Sequence, residues 1–233
     1  ITGNISTEGN NAYSLYIYGS RFNTTTINGN ISVLGDSAYG LYVNDSDNNN
    51  TTLTGNISTE GSNAYGMYLR ISDSNTTTIN GNISTEGNNA YGMQIRDSHN
   101  NTTTINGNIS TSGSSADGVY VDISTGNSIT NLGTIATSAS GTYGIYISSS
   151  TLATLNNKQA GLTYYGKVPT NYNIIIRGDA DYGKTTFSSV SSTMTFGIDL
   201  TNSGTGIGDK TYEDVLTGIA ASGVLSATTG SSG

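Results

Sequence analysis

Hydrolytic chemistry on a sugar needs paired carboxylates, or a carboxylate beside a cation. The 233-residue chain has 16 Asp+Glu, 8 Lys+Arg, one histidine and no cysteine. That histidine, His99, stands in the run Asp97-Ser98-His99-Asn100-Asn101, whose composition is that of a solvated turn. Glu60 and Glu86 are 26 residues apart and would become neighbours if the chain stacked with that period. Their column reads Glu8, Leu34, Glu60, Glu86, Ser112, a surface turn with no repeated partner, so no catalytic residue is assigned. Asp45, Asp47, Asp73, Asp97 and Asp122 are loop acids of the kind Ca²⁺ accepts. Neither EF-hand spacing nor the glycine-rich calcium nonapeptide is present. No metal site or cofactor is assigned, and Ca²⁺ is the ion such an edge would suit.

The residues that must position these groups are unusual in kind. Thr 36, Ser 32, Asn 28 and Gly 31 make up about half the chain, while charged residues are 10% and proline occurs once, as Pro169. Disordered chains combine low hydrophobicity with charge and proline, so polarity here has another origin. With 33% hydrophobic residues, the core must consist of thin apolar rows. No run approaches the ~18 apolar residues of a membrane helix. A net charge of −8 argues against nucleic acid and against anionic lipid, both of which need basic surfaces. The absence of cysteine excludes disulfides and thiol chemistry and suits an exported protein. Beginning at Ile1 without a signal segment, the chain reads as a mature or excised piece.

The dominant signal is a repeat. The glycine of Ile-x-Gly-Asn-Ile-Ser-Thr recurs at Gly3, Gly29, Gly55, Gly81, Gly107 and Gly133, each step 26 residues. A second motif, Ala-Tyr-Gly-φ-Tyr-φ (φ apolar), keeps the same step through residues 14 to 144. Within each copy, period-2 alternation of β-branched and aromatic residues marks strands, and Asx/Gly runs mark turns. Copies of fixed length and phase predict a parallel β-solenoid in which position n lies over n+26. The expected fold is all-β: a single-stranded, right-handed parallel solenoid of six 26-residue rungs over residues 1–156, with an all-β cap or assembly region over 157–233. Rungs ~4.8 Å apart would give six of them a length of roughly 29 Å.

Stacking turns each position into a ladder. The inward ladders are Ile5, Ile31, Ile57, Ile83, Ile109, Ile135 and Leu15, Leu41, Met67, Met93, Val119, Ile145. Tyr13, Tyr39, Tyr65, Tyr91 and Tyr143 would fill a groove left by the glycines or pack at a bend, with Asp117 a surface-facing interruption. Asn4, Asn30, Asn56, Asn82, Asn108 and Asn23, Asn49, Asn75, Asn101, Asn127 are expected as two solvent-side ladders bonded amide to amide. An outward column, Tyr16, Tyr42, Tyr68, Tyr120 and Tyr146 with Gln94 interrupting, offers a surface for stacking sugar rings. Thr26, Thr52, Thr78 and Thr104 form a line of the kind that could meet ice. The many Asn-x-Ser/Thr triplets follow from composition and imply no glycan by themselves.

Past Asn156 the period is lost, and five of the eight Lys/Arg, the proline and two of three Phe lie there. Strand-like runs remain at 172–177, 193–200 and 211–217, with a glycine-rich turn at 204–208. The segments 129–135 (Ile-Thr-Asn-Leu-Gly-Thr-Ile) and 141–147 (Gly-Thr-Tyr-Gly-Ile-Tyr-Ile), with Tyr182-Gly183-Lys184, 194–198 and 212–216, resemble the passenger region of Gram-negative autotransporters. That resemblance implies export across the outer membrane and display at the cell surface or release from it. The translocator barrel such a passenger would precede does not follow here, which puts the mode of anchoring in doubt. A capped C-terminal side and a first rung carrying the full motif suggest head-to-tail stacking of copies, an open, heterologous assembly. Ile1, Ile5, Tyr212, Val215 and Leu216 are the candidate junction residues. The expected role is an extracellular structural filament subunit whose partner is itself, with a glycan-binding adhesin as alternative. An ice-binding protein and a carbohydrate-active enzyme rank below both.

Overall fold

A computed structural model describes residues 1–204 and 211–227. Each 26-residue copy forms three short strands separated by corners. The first rung holds β1 (Ile5–Thr7), β2 (Leu15–Tyr18) and β3 (Thr24–Ile27). The second holds β4 (Ile31–Val33), β5 (Leu41–Asn44) and β6 (Asn50–Leu53), and the third β7 (Ile57–Thr59), β8 (Met67–Arg70) and β9 (Thr76–Ile79). The fourth holds β10 (Ile83–Thr85), β11 (Met93–Arg96) and β12 (Thr102–Ile105). The fifth and sixth are β13 (Ile109–Thr111), β14 (Val119–Asp122), β15 (Thr125–Asn131) and β16 (Ile135–Thr137), β17 (Ile145–Ser148), β18 (Thr151–Asn157). Every strand pairs in parallel with its counterpart one rung away, as in Ile5↔Ile31, Leu15↔Leu41 and Thr24↔Asn50. The parallel β-solenoid read from the repeat is therefore the fold.

The coil continues beyond residue 156, for about eight turns rather than six. β19 (Leu162–Gly166), β20 (Asn171–Ile174), β21 (Thr185–Ser188), β22 (Met194–Ile198), β23 (Leu216–Thr217) and β24 (Val224–Ala227) extend two of the three sheets. The β1-β4-β7-β10-β13-β16 sheet stops at six strands, and the other two reach nine. The reason is length. Tyr164 lies beside Ile145 and Asn171 beside Thr154, steps of 19 and 17 residues, too short for a third strand and its corner. Later turns lengthen again through loops, so Leu216 pairs with Thr185, 31 residues earlier. Of the run at 211–217 only the last two residues are strand, and most of the 204–208 turn lies outside the described residues.

The core is a set of apolar columns between three sheets, including Ile31, Ile57, Ile83, Ile109 and Ile135, each at most 2% exposed. Tyr164, Phe187, Tyr172 and Met194 continue it in the irregular turns. The glycine column at 40, 66, 92 and 118 is closed by the isoleucine column. A Cβ on Gly66 would overlap Ile83 Cγ2 and the Gly92 carbonyl. Of the two places expected for the tyrosines, the groove and the bend, isoleucines take the first and the tyrosines lie at the second. Corners turn through left-handed residues at 11, 37, 63, 89 and 115, and at 45, 71, 97, 123 and 149. Asn, Asp and Ser accept that conformation, whereas Ile71 (φ 49) and Ile123 (φ 50) are β-branched and strained there. Among the described residues the one helical element is a single 3-10 turn, Ala221–Gly223, and no helix is long and apolar enough to cross a membrane.

Candidate functional site

The titratable groups singled out for chemistry in the sequence, His99 and the turn aspartates, are held in the corner between the β5 and β6 sheets. Arg21 meets Asp47 at 3.5 Å. Asp47 Oδ1 accepts the Asp73 N–H, Asp73 Oδ1 accepts the His99 N–H, and His99 Nδ1 accepts the Thr125 N–H at 3.1 Å. Each side chain thus ties down the backbone of the next rung, and His99 acts as one more link in that series. Asp45 occupies a separate, exposed left-handed column, and Asp122 pairs with Arg96 at 3.7 Å. Among the described residues no three His, Asp or Glu side chains gather closely enough to hold a metal ion. Glu60 and Glu86 stand exposed on the turns expected of them.

Beneath that corner lie two ladders that strand alternation did not disclose. Asn49, Asn75, Asn101 and Asn127 are buried, not solvent-side as expected. Asn101 Oδ1 accepts the Asn75 N–H at 2.8 Å, while its Nδ2 donates to the Ser72 carbonyl at 2.9 Å. Ser46, Ser72, Ser98 and Ser124 run alongside, fully buried, each Oγ accepting the N–H of the serine one rung earlier. A buried backbone group without a partner is costly. These side chains supply partners at corners where no strand can. The Asn4, Asn30, Asn56, Asn82, Asn108 column is exposed as expected, but its side-chain oxygens mainly accept the next rung's backbone N–H, as Asn4 Oδ1 accepts the Asn30 N–H.

The two tyrosine columns form one aromatic band on the outer face of the β2-β5-β8 sheet. Tyr13, Tyr39, Tyr65 and Tyr91 stack at centroid spacings of 5.0–5.2 Å, as do Tyr16, Tyr42 and Tyr68 at 5.0–5.1 Å. The columns meet edge to face, Tyr39 against Tyr68 at 84°. Where Gln94 replaces a ring, Tyr91 crosses over and stacks on Tyr120 at 4.6 Å, and the series continues through Tyr146 to Tyr165. Packing is close enough that burial, reinforced by neighbouring phenols, pushes Tyr39 and Tyr65 up to about 12. Tyr68 also reaches about 12, burial outweighing the lowering effect of Arg70. Ring faces along the band cover one another, leaving edges to solvent. Tyr13, Tyr16 and Tyr18 in the first rung are the most exposed, while Tyr42 and Tyr68 are buried. Of the outward column, Tyr16 is exposed and Tyr120 and Tyr146 are partly buried, so the rings open to solvent lie toward its two ends.

Asp117, expected at the surface, is 6% exposed. It occupies the ring position of its rung, and its Oδ1 accepts the Tyr143 N–H at 2.7 Å. Burial raises its carboxyl from 3.8 to about 6, the hydrogen bond opposing the shift. Neither feature is visible in a tyrosine column broken by one acid.

Open clefts lie among the described residues where the regular repeat gives way. One, about 550 Å³, is lined by Thr125, Ser149, Ser150, Thr151, Lys167 and Ser191, among others. Two smaller ones, about 300 and 210 Å³, share Gln159 below the end of the six-stranded sheet. The candidate junction residues fall at opposite ends of the coil. Ile1 and Ile5 are in the first rung, whereas Leu216 is in β23, the last strand of its sheet, with Val215 beside it and Tyr212 packed edge-on against Tyr182. Compared with protein-family models, curated proteins and solved structures, the chain matches none.

Proposed function

We propose that the protein is an extracellular structural element, a stiff β-solenoid whose copies stack head to tail into a filament. The observation that carries this reading is the parallel register itself: three sheets of strands stack rung on rung about a continuous apolar core, a shaft built of equal units. In the filament, Ile1 and Ile5 of one copy meet Val215 and Leu216 of the next, a heterologous contact that repeats without closing. Surface display is what the likeness to autotransporter passengers implies. Electron microscopy of the purified protein over a concentration series is expected to show unbranched fibres that Ile5→Asp abolishes. Uniform monomers at the highest concentration would overturn the reading.

A second reading is favoured by the outer face of the β3-β6-β9 sheet. Thr26, Thr52, Thr78, Thr104 and Thr130 stand two residues from Thr24, Asn50, Thr76, Thr102 and Ser128, and none of these side chains is charged. Strand geometry sets such columns roughly 6.7 Å apart and rungs ~4.8 Å apart. A flat lattice of hydroxyl and methyl groups suits ordered water, hence ice. Freezing-point hysteresis abolished by Thr52→Tyr with Thr78→Tyr would support this reading, and no hysteresis in the unmodified protein would end it.

A further inference from the structure

Where the sixth turn of the coil gives way to the seventh, the corner between the β5 and β6 sheets is cut short. Ile147 and Thr154 pair with Gly166 and Asn171, so seven residue steps in one turn are followed by five in the next. In the regular turns this corner sends two consecutive backbone N–H groups to the turn that follows. Asp97 and Ser98 donate to the Asp122 carbonyl and Ser124 Oγ, and Ile123 and Ser124 to the Ser148 carbonyl and Ser150 Oγ, at 2.9–3.4 Å. The corresponding N–H groups of Ser149 and Ser150 have no acceptor among the described residues. Both residues line the cleft of about 550 Å³ at this corner. Ser149 is left-handed (φ 47), and successive N–H groups at a turn make a concavity suited to anions. Lys167 lines the same cleft, whose lining contains no acid. It has no carboxylate at ion-pair distance among the described residues. Its carbonyl is fixed from inside by the Tyr164 hydroxyl, which donates to it at 2.7 Å. Asp122, the acid of this corner one turn earlier, pairs with Arg96 at 3.7 Å.

We propose that this cleft binds the sulfate ester of a sugar, its oxyanion seated on the Ser149 and Ser150 N–H groups with the Lys167 ammonium beside it. A sulfate ester accepts hydrogen bonds and donates none from its oxyanion, which matches two donors left without an acceptor. The charge of the ligand follows from the lining. One cation, in a chain of net charge −8, balances a singly charged sulfate ester better than a phosphate ester of about −1.5 to −2. The volume lies within the roughly 300–1,000 Å³ of small-molecule sites and leaves room for the ring that carries the anion. Thr151 and Ser191 offer hydroxyls to those of the sugar. Ser150 Oγ, which accepts the Ser124 N–H at 2.9 Å, keeps its own proton to donate. The coil ends and the threonine face take no part, so the site rests on neither the filament nor the ice reading.

The test titrates the full chain by calorimetry with glucose 6-sulfate, beside glucose, inorganic sulfate and glucose 6-phosphate. Glucose 6-sulfate should bind at least tenfold more tightly than glucose or inorganic sulfate. Lys167→Ala should weaken it at least tenfold, and Lys167→Arg should keep it within about threefold of the parent, since the charge is retained. Lys158→Ala removes an ammonium that already faces Asp181 at 3.8 Å and should leave binding unchanged. Absence of binding, or equal losses in the two alanine variants, would overturn the proposal. Tighter binding of glucose 6-phosphate would overturn the singly charged ligand. Hydrogen exchange on the unmodified protein reads the backbone donors directly. Saturating glucose 6-sulfate should slow the Ser149 and Ser150 amides at least tenfold, and unchanged rates at both are equally fatal. Fibre formation enters neither measurement, so the cleft and the filament stand or fall separately.

Discussion

A carboxyl group sits where five other rungs hold a phenol ring, and its surroundings favour the protonated form. The Asp117 carboxyl is raised from 3.8 to about 6 by burial. Below pH 3.8 both folded and unfolded chains carry the proton, and this contribution to stability is complete. As pH rises through 6 the folded chain must ionise a buried acid, and the contribution is lost. Asp117→Asn keeps an acceptor for the Tyr143 N–H without the charge. Urea unfolding should show it more stable than the parent at pH 8 by on the order of 1–2 kcal/mol, allowing for solvent screening, and indistinguishable near pH 3.5. The two asparagine columns give a second contrast. Asn101→Ala strands the Asn75 N–H and the Ser72 carbonyl in the interior and should cost about 3 kcal/mol. Asn82→Ala frees the Asn108 N–H at an exposed site, where water replaces the oxygen, and should cost less than about 1 kcal/mol.

Strands and corners differ in how plainly the sequence reveals them. The 26-residue period, the isoleucine columns and the parallel register follow from spacing alone, because a strand side chain alternates between faces without exception. Corners obey no such rule. Residue 49 sits in a five-residue turn whose left-handed Asp45 and Asn48 swing the chain, so Asn49 points inward although its composition suggests solvent. The tyrosine band misled in a similar way: repetition showed that the rings would stack, but not that stacking covers their faces. The irregular turns past residue 157 were legible as strands but not as coil, since no constant step connects them. Glycine and isoleucine at corners supply the tests. Gly66→Ala drives a methyl into Ile83 and the Gly92 carbonyl within a rung held on both sides. It should cost more than about 3 kcal/mol by thermal denaturation, as overpacked sites can. Ile71→Asn relieves a β-branched residue at φ 49 and should stabilise by about 1 kcal/mol.

Across the whole molecule each rung touches its two neighbours, so stability is a sum over adjacent pairs and length is adjustable in units of one rung. Deleting residues 54–79, one full period, should leave a folded coil with a smaller denaturant m-value. Deleting 54–78 instead shifts the strands that follow by one position and turns their apolar faces outward. Circular dichroism and urea titration should find the first protein cooperative and the second unfolded or aggregated.

The ending of one sheet at β16 also has a mechanical meaning. Axial hydrogen bonds within one cross-section share load in parallel while successive cross-sections bear it in series, so a pulled molecule fails first where its cross-section carries fewest of them. Stretched between its termini, the protein should tear open in the two-sheeted segment and spare the three-sheeted shaft. Each regular turn torn thereafter would pay out roughly 90 Å of slack chain, an extensible fuse in series with a stiff spar.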